Sequence, residues 1–393
     1  MPQRSSLLAR IGSAGVVTRS LYSILTAMTD APLRFVLGNA FYLQEEAARG
    51  RIDRVDEVLG KLARLGCKVV RTWAFNDDPA KDSAIRRSAD RVEEVGLRGL
   101  DVVLERARAH GLRLILPLVD YWGSYGGTRQ WCRWLGHGDA VEGDPRFFVD
   151  GEVRRAYFAH IAMLLSRRNE RTGLRYGEDP VVYAWELMNE PRGVGVAPDA
   201  WLAWVRDSAT VVRDHATHLV SLGDEGQQRS FEGHDEEFWR RANGAHLFDA
   251  AQGASFSAAL DLVDVASVHF YPEKVGITPG LEREAGVRWI VEHAALARRA
   301  GKGLVVGELG LGNEHASFAR FPLPQRRAIY RTWLGAAARA GVTGIGPWLF
   351  HHDDRPDAWD DFAWYLRDDV PLDSLKNRYA DLVRDAALEM NEG

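Results

Sequence analysis

Eight short runs rich in β-branched and aromatic residues, separated by longer stretches of helical periodicity, constrain this chain more than any other feature. The runs are Arg34–Phe41, Val69–Phe75, Arg113–Asp120, Val181–Glu190, Leu219–Glu225, Val263–Tyr271, Gly303–Gly310 and Gly344–Phe350. Several are nearly continuous in apolar residues, the pattern of parallel strands covered on both faces. Between them, Val55, Leu59, Leu62 and Leu65 keep helical spacing, as do Leu97, Leu100, Leu104 and Ala107, and Val153, Tyr157, Ile161 and Leu164. Further helices are predicted over Pro198–His215, Arg283–Ala300, Pro324–Ala340 and Leu372–Glu389, whereas Phe231–Ala250 is polar and irregular. Strands alternating with helices in this way predict an α/β fold, a (β/α)8 TIM barrel forming a single domain with extended βα loops. An open doubly wound sheet would carry a glycine-rich phosphate turn after its first strand, and Gly38-Asn39-Ala40-Phe41 is not one.

The barrel is expected over 31–393, behind an N-terminal extension over 1–30. From Met1 to Thr29 there is no acidic residue, and Arg4, Arg10 and Arg19 are spaced through small and hydroxyl residues. That stretch reads as a transit-like or disordered extension, or as sequence upstream of a start at Met28, and not as a secretory signal. A cytoplasmic location is therefore expected, with secretion as the alternative.

Composition removes other classes. Fifty Lys and Arg against 55 Asp and Glu give a net charge of −5 without a basic stripe, which disfavours nucleic acid as a partner. No apolar run is long enough to span a bilayer, so no membrane partner is expected. Two cysteines, Cys67 and Cys132, make neither a disulfide framework nor a four-cysteine zinc site. Thirteen tryptophans suit a cleft that stacks on flat ligands such as sugar rings.

In a (β/α)8 barrel the active site lies at the carboxyl ends of the strands. Here those ends carry Arg71 and Trp73, Asp120-Tyr121-Trp122, Asn189-Glu190-Pro191, His269-Phe270-Tyr271, Glu308 and Trp348. Each has a plainer reading: a solvated glutamate, an ion-paired arginine, a satisfied core histidine, packing tryptophans. A glutamate that ends the apolar run Leu304-Val305-Val306-Gly307 is harder to dismiss, because burying it unpaired is costly. Glu190 and Glu308 would face each other from opposite walls, as glycosidic cleavage requires: one carboxyl protonated to assist departure, one ionised to attack or to activate water. Arg71 and the Tyr271 hydroxyl can donate to Glu308 and favour its charged form. Glu190 is then expected to be the less compensated carboxyl and the proton donor.

The segments carrying these residues resemble glycoside hydrolase family 5, in particular its β-mannanase and β-mannosidase branch. Val182-Tyr183-Ala184-Trp185-Glu186-Leu187-Met188-Asn189-Glu190-Pro191-Arg192 is similar to the acid/base segment, and Arg71-Thr72-Trp73-Ala74-Phe75-Asn76-Asp77 to the second-strand motif. His269-Phe270-Tyr271-Pro272 and Val306-Gly307-Glu308-Leu309-Gly310 match two further elements. Asp120-Tyr121-Trp122-Gly123-Ser124-Tyr125-Gly126-Gly127 is similar to the third-strand loop, with Asp120 and Tyr121 departing from the Asn-Asn-Trp frequent there.

The resemblance implies a retaining hydrolase with Glu308 as nucleophile and Glu190 as acid/base. Arg71, Trp73, Trp122, Asn189, His269, Tyr271 and Trp348 become substrate-binding residues: Asn189 on the 2-hydroxyl, Tyr271 orienting Glu308, Trp348 under the ring. It implies no metal and no cofactor; His351-His352-Asp353-Asp354 reads as a solvated loop before a cation site. The substrate expected is a β-mannoside oligosaccharide or polysaccharide, cut by an exo-acting β-mannosidase, with Gln130–Asp150 and Gln227–Gly253 available to wall one end of the cleft. The alternatives are an endo-β-1,4-mannanase, another family 5 β-glycanase, a transglycosylase and a non-catalytic carbohydrate-binding barrel.

Overall fold

All eight runs become parallel strands: β1 (Phe35–Asn39), β2 (Val69–Arg71), β3 (Arg113–Pro117), β4 (Val182–Glu186), β5 (Leu219–Ser221), β6 (Val265–Phe270), β7 (Gly303–Leu309) and β8 (Gly344–Pro347). The computed structural model describes residues 33–249, 255–352 and 360–392, and from Arg34 onward these form one compact unit. The expected extension over 1–30 lies outside the described residues. The strands pair in the order β5-β4-β3-β2-β1-β8-β7-β6, a nearly closed barrel. Its remaining seam, between β5 and β6, is bridged by Asp264 N–H to the Val220 carbonyl (2.8 Å) and by Ser267 Oγ, which accepts from the amides of Gly223 and Asp224.

Seven helices follow the strands in turn: α1 (Ile52–Arg64), α2 (Glu94–Ala109), α3 (Gly151–Ser166), α4 (Pro198–His215), α5 (Glu236–Arg241), α6 (Glu282–Arg299) and α7 (Leu323–Ala340). A final helix, α8 (Ala380–Glu392), ends the chain's described part. Each buries its apolar stripe; on α1 that is Val55, Val58, Leu59 and Leu62. Short helices at Leu43–Ala48, Gly127–Trp134, Arg146–Val149 and Phe256–Ala259 and a small hairpin (Arg86–Ser88 with Arg91–Val92) decorate the loops.

Helix α8 starts later than the spacing predicts. Asn377 holds residues 371–377 as a turn: its Nδ2 donates to the Pro371 and Leu372 carbonyls (3.0 and 3.3 Å), and its Oδ1 accepts from Arg367 N–H (2.8 Å). Arg378 then takes a left-handed φ of 54°, which stops a helix from running through.

Inward-pointing residues alternate along each strand, so a dry layer at one level dictates what stands at the next. Phe35, Leu37, Val69, Ile115, Ala184, Val265 and Val305 fill the dry layer. Two residues further on, the same parity brings Asn39 on β1, Arg71 on β2, Glu186 on β4 and Ser267 then His269 on β6, all buried. The barrel thus ends in a polar layer over a hydrophobic plug. On β7 the register slips between the pairs Val268↔Val306 and His269↔Glu308, which moves Glu308 into that layer. Gly307 occupies the slip, where a Cβ would come within 2.8 Å of His269 Nε2.

Candidate active site

Arg71, 1% exposed, organises the polar layer with three donors of one rigid fork. Nε donates to Glu186 (2.8 Å), Nη1 to Glu308 (2.6 Å) and Nη2 to the Asn189 carbonyl oxygen (2.7 Å). Because a guanidinium only donates, the Asn189 amide is forced to turn its Nδ2 away, and that group donates to Asp120 (2.9 Å). The Tyr271 hydroxyl donates to the second oxygen of Glu308.

Glu190 arrives from β4 on a backbone in the left-handed region (φ 52°), uncommon for a residue with a Cβ. Its amide donates to the Gly223 carbonyl (2.8 Å), and the preceding Asn189 is tied on both sides, to Val119 O and Tyr121 N. The Glu190 carboxyl meets His269 Nδ1 (2.8 Å) and the Trp122 indole N–H (2.6 Å). One oxygen of Glu190, one of Glu308 and a ring nitrogen of His269 all lie within 4.8 Å of one another. Among the described residues this trio has the composition of a metal cluster, but its oxygens already face N–H donors from Arg71, Trp122 and His269, an arrangement suited to holding protons.

Glu308 has the permanent cation Arg71 beside it, and Glu190 has the imidazole of His269 and the Trp122 indole, partners not foreseen for it. Burial pushes it up, but the bond and charge of His269, with the Trp122 N–H, outweigh burial and hold it well below the usual range. His269 moves oppositely: burial lowers it, and Glu308 and Glu190 raise it above 6.5 overall. The imidazole thus stands within hydrogen-bond distance of the carboxyl that would deliver the proton. Sequence reading placed His269 on the same rim, but its contact with Glu190 depends on side-chain orientation that no residue pattern fixes.

Asp120, Trp122, Asn189, Glu190, His269, Tyr271 and Glu308 line a cavity of about 480 Å³ together with Trp73, Trp348, Arg192 and Glu225. Arg71, expected to bind substrate, is not part of that lining and touches Glu308 and Asn189 instead. Trp348 stacks on Phe41 (5.5 Å, 5°), and its N–H donates to Asp360 (3.2 Å). Trp73 packs between Phe41 and Phe75 and also reaches the cavity. Arg192 lies over the Trp122 ring (4.8 Å) and binds both oxygens of Glu225 (2.6 and 2.7 Å). Of the two stretches foreseen as a wall, Gln227–Gly253 contributes Gln227 and Leu247 to the lining, and Gln130–Asp150 contributes none of the lining residues. His351 is buried beside the Tyr42 ring (5.0 Å), which corrects the reading of a solvated loop; Asp353 and Asp354 lie outside the described residues.

Sequence reading gave no role to Glu186, Arg192, Glu225 or Asp360. Glu186 carried a usable signal, a charge inside the apolar run Val182–Met188 at inward parity. Glu225 stands where the fifth run ends, so the strand-end rule also pointed to it.

A family model described as GH family 5 beta-mannosidase-like matches residues 37–373. The chain is 36% identical over 303 residues to the rice (Oryza sativa subsp. japonica) putative mannan endo-1,4-beta-mannosidase 5, covering 75% of this chain and 60% of that one, less than two thirds of the relative's length. It is 30% identical to mannan endo-1,4-beta-mannosidase 2 of Arabidopsis thaliana, covering 86% and 79%. The solved endo-beta-1,4-mannanase of Thermotoga petrophila superposes with a TM-score of 0.79 at 26% identity, over 92% of this chain and 77% of that one.

Proposed function

The chain belongs to the β-mannosidase-like group of glycoside hydrolase family 5, and from that premise we propose that it is a retaining endo-β-1,4-mannanase. The observation that carries the chemistry is the approach of the Glu190 and Glu308 oxygens to within 4.8 Å. Retention needs carboxyls roughly 5–5.5 Å apart, whereas inversion leaves about 6.5–9.5 Å for a water between them.

In the first step a Glu308 oxygen attacks the anomeric carbon while the proton held by the Glu190–His269 pair passes through Glu190 to the departing glycosidic oxygen. The C–O bond breaks, and a glycosyl ester forms on Glu308. In the second step Glu190, now ionised, takes a proton from water, whose oxygen attacks the same carbon and frees Glu308. Arg71 and Tyr271 hold the attacking carboxylate from both sides. Asn189 keeps its amide aimed from the cavity floor, and Trp348 offers a flat face for the ring.

Endo action replaces the exo preference because the relatives named above are endo-acting by name and their likeness covers 75%, 86% and 92% of this chain. Incubation with mannobiose, mannohexaose and polymeric mannan tests it. Mixed oligomers from the polymer at the earliest times are expected; mannose alone from the start would overturn endo action in favour of an exo enzyme.

A further inference from the structure

Asp120 is 1% exposed and lines the cavity, yet no step above uses it. Its carboxyl receives the Asn189 amide (2.9 Å) and the backbone N–H of Trp122. Among the described residues it forms no ion pair, unlike the four glutamates around it. Glu186 and Glu308 share Arg71, Glu225 holds Arg192, and Glu190 holds His269. Those four glutamates thus share two guanidinium groups and one imidazole, and Asp120 beside them has no cation within ion-pair distance. An isolated buried carboxylate is costly enough that such a group takes up a proton instead.

We propose that Asp120 is a positioning residue that works as the neutral acid, fixing the Asn189 amide through its acceptor oxygen and leaving its hydroxyl for the sugar or water in the cavity. Asn189 is then clamped between a group that can only donate, Arg71, and one that accepts without adding charge beside Glu190 and Glu308. Burial, and the charges of Glu190 and Glu308, push the Asp120 carboxyl well above the usual range, outweighing the Asn189 and Trp122 bonds. The role rests on the reading of Glu190 and Glu308 as the catalytic pair.

Asp120→Asn keeps the shape and neutrality of the acid, and Asp120→Ala removes the acceptor. With mannohexaose, kcat/KM of Asp120→Asn is expected within about threefold of the parent across the optimum and the acid limb, with the limb unmoved. Asp120→Ala is expected to lose about tenfold or more, mainly in kcat. The infrared difference between parent and Asp120→Asn at the optimum should contain a protonated-carboxyl C=O band, which needs no Ala variant. Absence of that band, or an acid limb moved down by about one pH unit in Asp120→Asn, would show an ionised Asp120 and overturn the proposal. A parent inert on every mannoside would instead sink the glycosidase reading itself.

Discussion

At Arg71 one side chain serves three acceptors, so its shape matters as much as its charge. Lysine keeps the charge but cannot reach Glu186, Glu308 and Asn189 together. Arg71→Lys is expected to lower kcat/KM about 100-fold with an unchanged circular dichroism spectrum; activity within threefold would show that charge alone suffices. The acid/base pair predicts a split by leaving group. Glu190→Ala should retain the first step for an aryl mannoside with a good leaving group, while turnover of mannobiose falls about 10²–10⁴-fold; equal losses on both would reverse the assignment. Arg71, Asn189, Glu190, His269, Tyr271, Glu308 and Trp348 were legible in the sequence because the strand-end rule and a charge in an apolar run both point inward. Asp360 was not, since it reaches Trp348 from the segment beyond residues 353–359, where no periodicity fixes the chain's path.

Strands and helices position that chemistry through details smaller than an element. The β7 register slip depends on Gly307, and Gly307→Ala would put a methyl group 2.8 Å from His269 Nε2. The variant is expected to fold yet lose about tenfold or more in kcat, as the displaced imidazole pulls away from Glu190; unchanged kcat would mean that the ring yields without effect. Helix α3 is anchored differently. Asp150 accepts from the Glu152 and Val153 amides (2.8 and 3.1 Å), satisfying donors that the helix cannot use itself. Asp150→Ala should cost about 1 kcal/mol by denaturant titration and leave KM alone. The barrel strands and most helices were legible because burial on one or both faces writes itself into the residue period. The late start of α8 was not, because the hydrogen bonds of Asn377 and the left-handed Arg378 overrule an otherwise helical pattern.

For the molecule as a whole, buried carboxyls couple stability to pH. Burial pushes Asp77 up to about 7, against the Trp131 bond and the Arg86 charge, while in the unfolded chain it ionises near 4. Between about pH 4 and 7 the native state therefore holds a proton that the unfolded state has released, and stability falls as pH rises through that window. Asp224, also pushed to about 7 by burial, acts in the same direction. Asp77→Asn should match the parent at pH 4 and melt about 2–5 °C higher at pH 8; an equal shift at both pH values would mean that the carboxyl is not protonated in the fold.

The barrel's purpose in this account is to carry Glu308 and Glu190 from β7 and β4 into one sugar-sized gap with different duties. A 2-deoxy-2-fluoro-β-mannosyl fluoride reads those duties directly, because it forms the covalent ester and releases it slowly. Peptide mass spectrometry after trapping should find a single fluoromannosyl group, on Glu308. A label on Glu190 or on any other residue would contradict the assignment.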